Sequence, residues 1–175
     1  RLPTRVALDW EAFPRLPDTT SAPEGRVIYV SAAASGKADG TADHPYKKIR
    51  SALAKAHRGD RICVRAGTYP EGEEGGYIAL ELPAGTGGVT LVAEGGRARI
   101  VPAHAGITYG IDIGASDIAF RGFDLVGFSS AGVILGNPGV VARNIVFADS
   151  DIVYEGDGAP NGIAMLPDNG GEDVV

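Results

Sequence analysis

Positive charge runs out early in this sequence. Its four lysines (Lys37, Lys47, Lys48, Lys55) all precede Ala66, and residues 144–175 hold no Lys, Arg or His against seven acids. The net charge is −6, which excludes nucleic acid as a partner, because phosphate binding needs a basic face. A single cysteine, Cys63, excludes an internal disulfide. Between Ile62 and Val64 it reads as a small strand residue rather than a nucleophile. No apolar run approaches the ~20 residues of a membrane span. The chain opens on Arg1 rather than Met, compatible with a leader already removed; secretion or display at the cell surface is the expectation. Aromatics are few, at 7%.

What the sequence has in quantity is glycine, 26 residues in 175, beside a hydrophobic content of 44%. That combination suits one domain with a real core, thin β layers and many tight turns. Residues 1–25 carry Pro3, Pro14, Pro17 and Pro23 and read as an extended arm, with Leu8, Trp10 and Phe13 available to anchor it. Arg26 to Ser31 alternates as a first strand. Pro45 is placed to open a helix over about 46–57, whose Ile49, Ala52, Leu53 and Ala56 make one apolar stripe and whose C-cap is Gly59. His57 is expected at its end, where the dipole favours a cation.

In the stretch Asp60 to Glu71, Ile62 and Val64 alternate with Arg61, Cys63 and Arg65, the period of a half-buried strand that Gly67-Thr68-Tyr69-Pro70 is expected to stop. An acidic loop is expected over 71–76. Beyond it the chain repeats. Val89-Thr90-Leu91, Ile118-Ala119-Phe120 and Ile145-Val146-Phe147 share an in–out–in pattern at intervals of about 29 and 27 residues. Gly110-Ile111, Gly132-Val133 and Gly162-Ile163 repeat a glycine-then-apolar start. Short strands, no helix and repeats of this size define a β-solenoid. Like residues should then stack at the ~4.8 Å strand spacing, with Phe120 over Phe147 inside and Asp117, Asn144 and Asp173 as a polar turn ladder.

The order Tyr29-Val30-Ser31, Asp39-Gly40-Thr41, PYKKIRSALAKA (45–56) and GDRICVRAGTYPE (59–71) resembles the N-terminal segment of pectate-lyase-like right-handed parallel β-helix proteins. The likeness implies an all-β right-handed parallel β-helix over 26–175, with an N-terminal α-helical cap and a first rung from Asp60. It covers about 26–175 and is tight over 26–71. Asp173-Val174-Val175 stands at the phase where earlier units begin a strand, so the coil is expected to be incomplete at its C-terminal end. Near Val175 a chain continuation, a second chain formed by cleavage, or another copy is expected to stack on it.

Such a resemblance is specific for architecture and poorly specific for activity. It implies an acidic polysaccharide as partner and Ca²⁺-assisted β-elimination on uronate polymers, with Lys or Arg as base. Candidate ligands are Asp149, Asp151, Asp157, Asp168 and Asp173; Asp149 and Asp151, two apart, would share one face of a strand. The same residues also suit tight turns. Of the coil arginines Arg97, Arg99, Arg121 and Arg143, Arg121 is the candidate catalytic residue, pointing outward after Phe120; it equally suits a solvated strand. The main catalytic residues are expected outside this chain. The histidines follow no metal-ligand spacing, no nucleophile elbow is present, and Gly85–Gly88 precedes a strand and so is no phosphate loop. The alternative is a non-catalytic β-helix rod, a scaffold or adhesion protein.

Overall fold

The computed structural model describes residues 23–135, 142–154 and 161–165. The arm expected over 1–25 lies outside them except for its last three residues, as do Asp157, Asp168 and Asp173–Val175. The described chain is an all-β parallel solenoid of about three turns with one small helix.

Its elements are β1 (Val27–Val30), α1 (Ile49–Leu53), β2 (Arg61–Glu71), β3 (Ile78–Leu82), β4 (Thr90–Pro102), β5 (Tyr109–Ile113), β6 (Ile118–Arg121), β7 (Phe123–Val126), β8 (Ala131–Leu135), β9 (Ile145–Ala148), β10 (Asp151–Val153) and β11 (Asn161–Met165). One sheet runs β1-β2-β4-β6-β9, with β7 beside β4 and β10 beside β7. A second runs β11-β8-β5-β3. Every pairing is parallel.

Register explains why these segments stack. Ile28, Ile62, Leu91, Phe120 and Phe147 form one ladder through successive strands. Tyr69, Ile100, Leu125 and Ile152 form a second, and Leu80, Ile111, Val133 and Ile163 a third. The Phe120 and Phe147 rings lie flat on one another, 5.0 Å apart and 5° from parallel. Ile118 pairs Ile145, as the repeat predicts. Burying each such side chain stabilises the coil by about 1.5–3 kcal/mol, so a one-residue slip would turn every ladder inside out.

The expected polar ladder is present as far as the described residues go. The Asn144 amide donates to Asp117 Oδ1 at 3.0 Å, and both residues have left-handed backbones, φ 60° and 56°. Asn and Asp tolerate this conformation through local hydrogen bonding. Arg58 donates to the other oxygen, Asp117 Oδ2, at 2.8 Å.

Two expectations about the beginning of the coil are corrected. Gly67 does not end β2. The strand shifts register between Arg65 and Gly67 and continues to Glu71, because Tyr69 returns to the core, 1% exposed. Glu71 therefore belongs to the strand, not to an acidic loop, and is fully buried.

The helix is five residues long, not twelve. Pro45 cannot open it, since Tyr46 is tied to β1: its N–H donates to Tyr29 O at 2.9 Å and its carbonyl accepts from Ser31 at 2.8 Å. After Leu53 the bonds tighten to Lys55 N–Ala52 O and Ala56 N–Leu53 O, so Gly59 and His57 lie beyond the helix end. The expected stripe survives: Ile49, Ala52 and Leu53 are buried against the coil core. Asp60, 3% exposed, fixes the start of β2 by accepting from the main-chain N–H of Arg26 at 2.7 Å and of His57 at 2.9 Å.

Candidate functional site

Two surface constellations carry chemistry. The first is charged and lies where the coil turns from β6 to β7 and from β9 to β10. Asp149 is held left-handed in the second of these bends, φ 49°, so it stands outside the strands. Asp151 opens β10 directly opposite Asp124 of β7. The expectation that Asp149 and Asp151 share one strand face is therefore corrected: the bend separates them.

An arginine brings them together. Arg97, on β4, donates from Nε to Asp124 Oδ1 at 2.8 Å and from Nη2 to Asp151 Oδ2 at 2.7 Å. Its Nη2 also pairs with Asp124 Oδ1, and Nη1 donates to the Asp149 carbonyl. One guanidinium thus spans three successive levels of the coil. The adjoining Asp124 carboxylate pushes Arg97 further above its ordinary pKa, against an opposing effect of burial. Arg121, the candidate catalytic residue, points outward as expected and donates from Nε to Asp149 Oδ2 at 3.0 Å.

These residues do not fit a divalent cation. Asp124 and Asp151 each give a carboxylate oxygen to the Arg97 guanidinium, which lies between them where a metal would have to sit, and Asp149 gives one to Arg121. Among the described residues no group of three His, Cys, Asp or Glu is placed to hold a metal ion.

The second constellation is concave. An open groove of about 470 Å³ lies between α1 and β3, lined by Arg50, Ser51, Glu73, Glu81 and Thr86 among others. Arg50 bridges to Glu73 across it, Nη2 to Oε1 2.6 Å. Glu81 sits in register with Asp112 on β5, a carboxylate beside a carboxylate. Next to the β3 end of the groove Tyr77 is 61% exposed and meets Tyr109 edge-on, ring centres 6.0 Å apart. Guanidinium, hydroxyl and carboxylate groups beside apolar Leu53, Ala54, Ile78 and Pro83 suit a hydroxylated, charged ligand, and Glu81 adds an exposed carboxylate to that lining.

Sequence reasoning missed Glu81, Asp124 and the pairing of Arg50 with Glu73. Glu81 had a signal, since Ile78, Leu80 and Leu82 alternate around it. Asp124 lies 27 residues after Arg97, one repeat, but the partnership needs the register to be seen. Cys63 is 4% exposed, and burial pushes its thiol up to about 12; it packs as a small residue.

No family model matches this chain, and no curated protein matches it. Among solved structures it is similar to the pectate lyase Pel9A, with a TM-score of 0.59, 17% identity, and coverage of 75% of this chain and 34% of that one. It is similar too to a rhamnogalacturonan lyase, with a TM-score of 0.54, 17% identity and coverage of 72% and 36%. The chain has a pectate-lyase-like parallel β-helix fold. It spans about a third of the length of these structures.

Proposed function

We propose that this chain is the N-terminal part of a carbohydrate-active β-helix protein, of the polysaccharide lyase type, acting on uronate-containing polymers outside the cell. The observation that carries this reading is that both structural neighbours are polysaccharide lyases by name. The groove beside β3 supports it, because Arg50 offers a guanidinium to a uronate carboxylate and Glu73, Ser51 and Thr86 offer partners to sugar hydroxyls. On this reading α1 is the cap of the coil's first end, and Arg121, already paired with Asp149, serves to hold substrate charge rather than to take a proton. Calcium, which the resemblance implies, finds no fitting ligand set among the described residues, so no step is assigned to it. No described helix is long and apolar enough to cross a membrane.

Titration calorimetry with oligogalacturonate and a neutral oligoglucan tests the recognition step. Saturable binding of the uronate ligand, weakened by Arg50→Ala, is expected. Equal binding or none of either would overturn the assignment of the groove.

A second reading, a rigid non-catalytic rod, is favoured by one observation: the arginines and aspartates of the charged corner are committed to each other. Such pairs brace successive levels of the coil. Intact, unmodified polymer after prolonged incubation, with binding retained, would support it.

A further inference from the structure

We propose that the surface around Lys47 and Lys48, at the first end of the coil, is a second binding site for an anionic polysaccharide, holding uronate units beyond those in the Arg50 groove. The class of ligand rests on the reading of that groove. The surface itself stands on charge, shape and position.

The net charge of −6 hides an asymmetry. Between Arg26 and Ala66 nine lysines and arginines stand against three acids, Asp39, Asp43 and Asp60. Two of those acids are engaged: Asp60 is buried and paired with Arg26, and Asp39 accepts from the Thr41 hydroxyl at 2.7 Å. Arginines are spent on acids throughout, as in Arg50–Glu73, Arg58–Asp117 and Arg121–Asp149. The lysines are treated differently. Lys37, Lys47, Lys48 and Lys55 are all exposed, and none makes a side-chain hydrogen bond or an ion pair among the described residues. Neighbouring ammonium groups repel one another, so an anion that bridges Lys47 and Lys48 is favoured.

Lys47 also lines two clefts. One, of about 180 Å³, has Lys48, Thr68, Pro70 and Glu71 in its wall. The other, of about 350 Å³, has Ser35, Gly36 and Pro45. Each exceeds the ~150 Å³ that takes a benzene-sized ring, and the exposed Thr68 and Ser35 hydroxyls suit partners on a sugar. Glu71, the one acid in either lining, is fully buried and gives Oε1 to the Ile49 N–H, so the exposed charge of these clefts is positive. A flat anionic membrane would touch the lysine tips and leave the clefts empty. A chain of rings, each with its own carboxylate, enters them.

Position joins this surface to the groove. Lys48 is the N-cap residue of α1 and Arg50 is the second residue of the helix, so the smaller cleft and the Arg50 groove reach the same turn. Because the Ile49 N–H is already taken, side chains alone hold the anion there. One polymer can lie across the helix start, with a unit at Arg50 and further units at Lys48 and Lys47.

Titration calorimetry on this chain compares a trimeric with a dodecameric oligogalacturonate. The dodecamer should bind more tightly, and Lys47→Ala with Lys48→Ala should cut its affinity by about 5–30-fold, the worth of two exposed charge contacts. The trimer, held at Arg50, should lose less than about twofold, since a screened charge outside the contact acts weakly. Lys47→Arg with Lys48→Arg should keep most of the affinity, with thermal midpoints unmoved in every variant. A dodecamer that binds no better than the trimer, or that ignores the alanine pair, would overturn the inference and leave the groove standing. Binding that needs the lysines but not Arg50 would uphold this surface and overturn the groove. Polyglutamate or an oligonucleotide of equal charge, bound as tightly, would overturn the assignment to a polysaccharide.

Discussion

The carboxylate of Glu71, at the end of β2, accepts a hydrogen bond from the main-chain N–H of Ile49 at 2.6 Å. The N-cap residue of α1, Lys48, makes no side-chain cap bond of its own, so a glutamate 22 residues further along the chain supplies what the helix lacks. This contact adds to the packing of Ile49, Ala52 and Leu53 in tying the helix to the first full rung.

Glu71→Ala should therefore destabilise the protein by about 1–3 kcal/mol, by orphaning a buried donor. Burial pushes the Glu71 carboxyl above its ordinary 4.5, while the Ile49 N–H and nearby Lys48 oppose the shift. A carboxyl with a raised value holds its proton longer when folded than unfolded. Its contribution is thus most favourable below 4.5 and declines as pH rises through the raised value. Urea midpoints at acid and neutral pH check this: Glu71→Gln should lose that decline.

At the opposite corner, Asp117 behaves in the reverse sense. The Asn144 amide, then Arg58, hold its carboxyl below the usual 3.8. The stability it adds is present above 3.8 and is lost as pH falls through the lowered value. Asn144→Gly keeps the left-handed backbone and removes the donor, costing about 0.5–1.5 kcal/mol. Asn144→Ala should cost about 1 kcal/mol more, because a Cβ is strained at positive φ. Acid titration of unfolding in both variants, followed by circular dichroism, gives the comparison.

The apolar ladder predicts a gradient. Phe120 is fully buried, whereas Phe147, stacked on it, is only partly so. Phe120→Ala should cost about 3–5 kcal/mol and Phe147→Ala distinctly less. Equal losses in thermal melts would mean that Phe147 is as enclosed as its neighbour.

Leu53, 4% exposed in α1, tests whether the short helix closes the coil. Leu53→Ala should cost about 2–5 kcal/mol. Leu53→Asp should be more severe, since it buries an unpaired charge. Melts unchanged by Leu53→Asp would make α1 peripheral.

What the sequence reveals here follows from repetition. Val89, Ile118 and Ile145, or Asp117 and Asn144, recur at intervals of about 27 to 29 residues because each strand must offer its neighbour the same kind of residue. The stacking can therefore be read without coordinates. Features made once are not legible in this way. Glu71 looks like the start of an acidic loop until β2 is seen to carry it inward. Pro45 looks like a helix start until Tyr46 is found bridged to Val30. Arg97 shows no sign of clasping Asp124 and Asp151, because the partners are joined only by parallel register. Glu81 stands in the alternating segment Ile78–Leu82, but its place opposite Asp112 is set by parallel register alone.

The most direct test of the functional account is β-elimination, read as the absorbance of unsaturated uronide released from pectate, alginate or a glycosaminoglycan, with and without added Ca²⁺. The whole protein containing this chain should release that product from at least one polymer. Arg50→Ala and Glu81→Gln should each lower the rate at least about tenfold with the thermal midpoint unchanged, while Asp124→Asn should leave it near wild type. No unsaturated product from any of the three polymers, under either condition, would contradict the assignment as a lyase.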